Sequence, residues 1–430
     1  MPADALHGRD HERYSAILPL VDDIGCNALR VWGGGVYETD EFYEWCDLHG
    51  IMVWQDFMMA CGVYPLDERL EKEYRTEFTS VIKRLRRFEC IILWAGDNEC
   101  DQSYAWNEIK HDPNKNQITR RILPDILNSE DWTRPYIPSS PYISEEAYLA
   151  GAIENTTEQH MWGPRDYYKS NYYHHSNAVF ASEMGYHGCP SPISIKKFIS
   201  TTSLWPPQEN DEWLLHSASP ETSKDALYIY RINLMTNQIF TLFSNKPKNL
   251  EEYAYMSQIS QAEAMKTFIE TFRSRKWDRT GIIWWNIMDC WPQFSDAVVD
   301  YFGCKKLAYF FIKRAQAPLY FMIDDQKDED YALYANNDLL VDTCVEYKIL
   351  EVDTECEIIR GSVTVPAEAA VRVASLCDIG KERHFYYIEW IDKNGEKGST
   401  HYLAGLPKFD YGWYRENLKK CGFDEFEGFK

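Results

Sequence analysis

At 430 residues the chain is long enough for one large domain and a small second one. A net charge of -22 argues against a nucleic-acid partner or an anionic membrane surface. The N-terminus lacks the apolar core of a signal peptide, and no run is long and apolar enough to span a bilayer. The 12 cysteines are scattered, with no Cys-x-x-Cys pair. Several fall inside apolar stretches or beside polar strand ends, as at Cys90, Cys100 and Cys290. They read as buried, reduced thiols of a cytoplasmic protein.

In chain order, residues 11 to 24 read as a helix with Tyr14, Ile17, Leu18 and Val21 on one face. An apolar strand follows and ends at Trp32. Thr39 and Asp40 then stand where an N-cap belongs, Phe42, Trp45 and Leu48 form an apolar stripe, and Gly50 closes the helix. The next strand, Ile51 to Trp54, leads into Gln55 and Asp56. Asp56 is expected to hold an arginine or a loop rather than touch substrate, and Arg30 is its candidate partner; a guanidinium there favours ionised carboxylates. Leu70, Tyr74, Phe78, Ile82 and Leu85 mark a long amphipathic helix. The apolar run Ile91-Ile92-Leu93-Trp94 then stops at Gly96-Asp97-Asn98-Glu99. Helix, buried strand and an acidic residue at the strand's carboxyl end are the unit of an α/β barrel, in which such residues line the active site. Glu99 is therefore the first catalytic candidate.

A helix is expected near 115 to 128. Ala178 to Ser182 is another apolar strand, again ending in a glutamate followed by glycine, Glu183-Met184-Gly185. Two such glutamates about 5 Å apart can protonate a glycosidic oxygen and attack an anomeric carbon. The 15% aromatic content, with 15 Trp and 29 Tyr, fits a cleft in which sugar faces stack on rings. His174-His175 lacks a third ligand at regular spacing and reads as solvent-exposed loop rather than metal site. Residues 190 to 223 read as loop and short helix. Helices are expected near 224 to 243, 250 to 275 and 303 to 316, with a strand at Gly281 to Ile287. From 317 to 430 the pattern changes to short alternating stretches separated by turns, which predicts an immunoglobulin-like β-sandwich.

Five motifs in order give the chain a resemblance to the catalytic portion of family 2 glycoside hydrolases, and within them to the β-mannosidases. Asn27-Ala28-Leu29-Arg30-Val31-Trp32-Gly33-Gly34-Gly35 resembles their second barrel strand and its loop. Gly50-Ile51-Met52-Val53-Trp54-Gln55-Asp56-Phe57 resembles the third, Trp94-Ala95-Gly96-Asp97-Asn98-Glu99 the fourth, Phe180-Ala181-Ser182-Glu183-Met184-Gly185 the seventh and Trp284-Trp285-Asn286 the eighth. Arg134 to Pro141 resembles the fifth strand, and His160-Met161-Trp162 the sixth. The resemblance implies a (β/α)8 TIM-type barrel over 1–316, lacking its first strand, and a β-sandwich over 317–430. It implies Glu99 as acid/base and Glu183 as nucleophile of a retaining exo-β-glycosidase acting on β-linked mannosides, with neither metal nor cofactor required. Trp32, Trp162 and Trp285 would line the sugar site, Asn98 would bond the 2-hydroxyl, and the three glycines would let the backbone pass close to the sugar. Two departures stand out. Gly163-Pro164-Arg165 replaces the family's usual Val-Trp-His, and Asp97 stands where asparagine is common. The alternatives are a β-galactosidase- or β-glucuronidase-like hydrolase, or a non-catalytic carbohydrate-binding fragment.

Overall fold

The structure is a computed structural model, and it describes residues 3–106, 111–153, 156–207, 210–217, 229–325, 331–376 and 382–429. The chain divides into two compact units. The first comprises residues 1–161, 177–184 and 281–284, and it holds the seven parallel strands found among the described residues.

Strands β1 (Ala28–Val31), β2 (Met52–Asp56), β3 (Ile91–Ala95) and β4 (Tyr136–Ile137) pair in parallel in that order. Strands β5 (Glu158–His160), β6 (Phe180–Met184) and β7 (Gly281–Trp284) form a second parallel sheet. Parallel pairing requires long crossovers, and helices supply several of them. These are α2 (Asp40–His49), α3 (Glu68–Leu85), α4 (Cys100–Trp106) and α5 (Leu123–Glu130), while α1 (Asp10–Ile24) precedes β1.

The periodicity expected of α1 and α3 is realised. Tyr14, Ile17, Leu18 and Val21 are buried, as are Phe78, Ile82 and Leu85. In α2 the buried face is Phe42, Tyr43 and Cys46, whereas Leu48 is exposed. Tyr43 explains the rotation, because its hydroxyl reaches the buried Gln55 side chain on β2 at 2.5 Å. The helix expected near 115 to 128 is a helical turn at Ile118–Ile122 continued by α5. The last parallel strand stops at Trp284, before Ile287.

The second unit comprises residues 162–176, 185–280 and 285–430. Helices Ile229–Leu242, Leu250–Arg273 and Leu307–Ala315 match three expected ones; residues 224–228 lie outside the described residues. Two antiparallel sheets follow. One has the order β12 (Ala369–Leu376), β9 (Tyr331–Asn337), β8 (Leu319–Asp324). The other runs β11 (Cys356–Val365), β10 (Thr343–Glu351), β13 (His384–Asp392), β14 (Lys397–Ala404). Phe321 on β8 stacks on Trp390 of β13 at 5.2 Å. His174, expected to be exposed, is instead buried, with its Nε2 3.6 Å from Asp325. Among the described residues no helix is long and apolar enough to cross a membrane.

Candidate active site

Polar residues in or just beyond several of the parallel strands converge in the first unit. Arg30 on β1 is the hub. Its Nε and Nη2 donate to Asp56 Oδ2 at 3.1 and 2.8 Å, its Nη1 to Glu183 Oε1 at 3.2 Å, and its Nη2 to Asn98 Oδ1 at 3.0 Å. The expected Arg30–Asp56 pair is therefore present, and it is buried. Burial pushes the Asp56 carboxyl up, and Arg30, the Gly33 amide and the Trp54 indole pull the other way. Several N–H donors aimed at two oxygens fit the ionised form. Burial also weighs against the Arg30 charge, but Asp56 and Glu183 outweigh it and hold the guanidinium more firmly protonated than usual.

Glu99 stands at the end of the turn that follows β3. Its backbone has φ +57°, a left-handed conformation that L-residues adopt at a cost. Neighbouring loops pin that turn. Asn98 N–H donates to Met59 O at 2.9 Å, Glu99 N–H to Ser140 O at 2.8 Å, and Cys61 N–H to Asn98 O at 2.9 Å. The strain is thus held by the segments after β2 and β4.

His160, at the end of β5, joins the two glutamates. Its Nδ1 is 2.6 Å from Glu99 Oε1 and 3.5 Å from Glu183 Oε2. Its Nε2 is 3.1 Å from Arg30 Nη1, which is solely a donor, so Nε2 accepts. Burial outweighs the nearby Glu183 charge and lowers the imidazole to about 4, so the ring is neutral at pH 7. A neutral ring that accepts at Nε2 carries its proton on Nδ1 and donates it to Glu99 Oε1. The other Glu99 oxygen, Oε2, meets the Cys61 thiol at 3.2 Å. Burial and then Glu99 push that thiol up to about 12, so it stays protonated. Ser140 Oγ bonds Glu158 Oε1 at 2.7 Å and lies 3.2 Å from His160 Nε2, and the Ser182 hydroxyl also donates to Glu158. Strand ends from both parallel sheets are tied together in this way.

One ligand atom each from Glu99, His160 and Glu183 lie within 4.8 Å of one another. Two carboxyl groups at that spacing suit direct attack on a sugar carbon rather than attack by an interposed water. The same distance admits a divalent cation. The donor set does not: Arg30 contacts two of the three groups, and the imidazole nitrogen facing the carboxylates carries a proton.

Arg30, Asp56, Asn98, Glu99 and Glu183 are thus brought together as expected. Trp32 is half-buried, and its ring lies against Gly34, where a Cβ would meet the indole at 2.0 Å. A Cβ at Gly33 would meet Met59 O at 2.5 Å, so these glycines are needed where the backbone passes the protein itself. Trp162 and Trp285 belong to the second unit, where their rings meet edge to face at 6.4 Å and Arg165 lies over Trp162 at 4.2 Å. His160, Cys61, Ser140, Ser182 and Glu158 were not singled out from sequence. His160 met the criterion that selected Glu99, a polar residue at a strand's carboxyl end. However, β5 is only three residues long and has no apolar run to announce it.

No family model matches the chain. The β-mannosidase of Capra hircus is 31% identical over 365 residues, covering 79% of this chain and 40% of that protein. β-Mannosidase B of Thermothelomyces thermophilus is 31% identical over 350 residues, covering 74% and 39%. The crystal structure of β-D-mannosidase from Dictyoglomus thermophilum matches with a TM-score of 0.82 and 30% identity, covering 96% of this chain and 50% of that one. An exo-chitosanase of Amycolatopsis orientalis, 17% identical with a TM-score of 0.68 over 92% of this chain and 46% of that one, shares the fold. The chain spans about two-fifths of the length of the curated relatives it matches. It is a glycoside-hydrolase-like protein of the family 2 type. Within that class it is β-mannosidase-like, in sequence over three-quarters of its length and in fold over nearly all of it.

Proposed function

We propose that the chain is the catalytic portion of a retaining exo-β-mannosidase that removes terminal, non-reducing β-mannose by double displacement. The observation that carries this is the 4.8 Å grouping of Glu99, His160 and Glu183 at the strand ends. In the first step a Glu183 oxygen attacks the anomeric carbon. The glycosidic C–O bond breaks, and the leaving oxygen takes a proton from Glu99. In the second step water attacks the same carbon, gives a proton to Glu99, and releases Glu183 with configuration retained. The proton belongs on Glu99 Oε2, because Oε1 already accepts from His160. The Arg30 guanidinium favours the ionised form of Glu183 that the attack needs.

In this reading Asn98 offers an amide hydrogen to the 2-hydroxyl, since Arg30 occupies its carbonyl. Trp32, in the same unit, lines the sugar. The parallel strands belong to a (β/α)8 TIM-type barrel within 1–316, and the antiparallel sheets to an immunoglobulin-like sandwich within 317–430. The described cysteines are all free thiols, which supports a reducing, cytoplasmic setting.

The test is hydrolysis of an aryl β-mannoside by the 430-residue chain, with aryl β-galactoside and β-glucoside in parallel, beside Glu99→Ala and Glu183→Ala. Mannoside turnover lost in both variants is the expected result. Turnover of another sugar alone moves the assignment within the class. Mannoside binding without turnover identifies a carbohydrate-binding fragment.

A further inference from the structure

Two residues before Glu99, Asp97 is fully buried. Its Oδ1 accepts from Cys100 N–H at 3.1 Å and from the Ser139 hydroxyl, and its backbone carbonyl accepts from Ser140 N–H at 3.2 Å. Those bonds hold both flanks of the strained turn. Its Oδ2 has no hydrogen-bond partner among the described residues. The cation nearby, Arg120, is committed elsewhere: its Nη2 donates to Asp101 Oδ2 at 2.5 Å, which also accepts from Ile143 N–H at 3.0 Å. Among the described residues, the other titratable groups that feel Asp97 are Cys100 and Tyr104 on α4, Tyr136 on β4 and Tyr64 after β2. Burial and neighbouring acids hold all four in their neutral forms. Two buried carboxyls therefore share one cation, and only the one in contact with it is supplied with a counter-charge.

We propose that Asp97 is a positioning residue that works as a neutral carboxylic acid, holding the Asn98–Glu99 turn while Asp101 carries the single negative charge. Burial first, and Asp101 second, raise the Asp97 carboxyl well above its ordinary range. A carboxyl raised in the fold favours the folded state below its unfolded value near 3.8, and that advantage is lost as pH rises through the window between the two values. An ionised Asp97 would also place an uncompensated buried charge beside the acid/base. This role for the turn rests on the reading of Glu99 given above; the protonation state does not.

Two measurements on the 430-residue chain need no turnover. Difference infrared spectra of wild type and Asp97→Asn at pH 7 should show a protonated-carboxyl carbonyl band in the wild type that the variant lacks. The melting-temperature difference, Asp97→Asn minus wild type, should grow by about 2–4 °C from pH 4.5 to 8. A missing band, or a difference that is flat across that range, overturns the proposal. The positioning claim is read on aryl β-mannoside. Asp97→Asn keeps the Oδ1 acceptor and should retain kcat within a few-fold, whereas Asp97→Ala should lose kcat by about 10²-fold with KM unmoved. Equal losses in both variants would overturn positioning by Oδ1. A silent wild type with the band present would instead sink the functional reading while leaving Asp97 neutral.

Discussion

His160, in the first unit, and His401, in the second, each donate a ring N–H to a glutamate at 2.6 Å. Burial lowers both imidazoles to about 4. The partners differ. Glu263 also accepts from the Tyr414 hydroxyl and lies in the field of Lys266; His401 leads these influences against burial and brings the carboxyl down to about 2. Its side chain is 2% exposed, against 12% for Glu99. Glu99 Oε2 meets a thiol, a weak donor, at a strand end. A buried histidine beside a glutamate is thus no signature of catalysis. What separates the two pairs is the second partner and the exposure: a hydroxyl at the closed-off Glu263, a thiol at the more exposed Glu99.

The largest effect that would break this comparison is at the glutamates. Glu99→Ala should cost about 10²–10⁴-fold in turnover, and least with aryl leaving groups that need no protonation. Glu183→Ala should lose at least as much, whatever the leaving group. Uniform losses with every leaving group would refute the acid role of Glu99. Next, Glu263→Ala should cost stability rather than chemistry, about 1–3 kcal/mol in urea unfolding for each of the two neutral donors, His401 and Tyr414, that it strands in a buried site. The KM of the protein that remains folded should not move; a shift would mean that the clamp influences the sugar site.

The pH dependence sharpens the parallel. For each histidine the folded value, about 4, lies below the ordinary 6.5. The unfolded chain therefore binds more protons between those values, and stability present above 6.5 is lost as pH falls toward 4. Melting temperatures from pH 7 to 4 should fall, and His401→Gln should flatten the fall. Turnover of the folded protein should hold across most of that window and drop only as pH approaches about 4, where His160 protonates and a second ring proton would face Arg30. The smallest effect belongs to Cys61→Ser. A hydroxyl can replace the thiol's contact with Glu99, so kcat should change by a few-fold at most. Alkylation of Cys61 should be slow at pH 8, since its thiol is pushed up to about 12; fast labelling would contradict that environment.

Helix α1 shows how much of the fold was legible in the chain. Its period of three to four residues names its buried face directly, because a helix repeats over a distance that local sequence spans. In α2 the same logic pointed to Leu48, and the buried face turned to Tyr43 because its hydroxyl had a partner on β2 that no helical pattern encodes. Glu99 and Glu183 were readable because each ends an apolar run, a signal contained in a few adjacent residues. Arg30 and Asp56 were paired correctly from chemistry, as a buried guanidinium needs a carboxylate. His160 was hidden by the shortness of β5, and Cys61 by the irregular loop that carries it. Their roles come from residues 61 and 38 positions apart in the chain meeting at Glu99. So the sequence alone determined the strand-and-helix grammar and the two glutamates. Tertiary structure decided which nitrogen of His160 carries the proton, which oxygen of Glu99 His160 bonds and which meets Cys61, and which of Asp97 and Asp101 contacts Arg120. Those outcomes depend on burial and on donors arriving from other strands, and neither is a property of any local stretch.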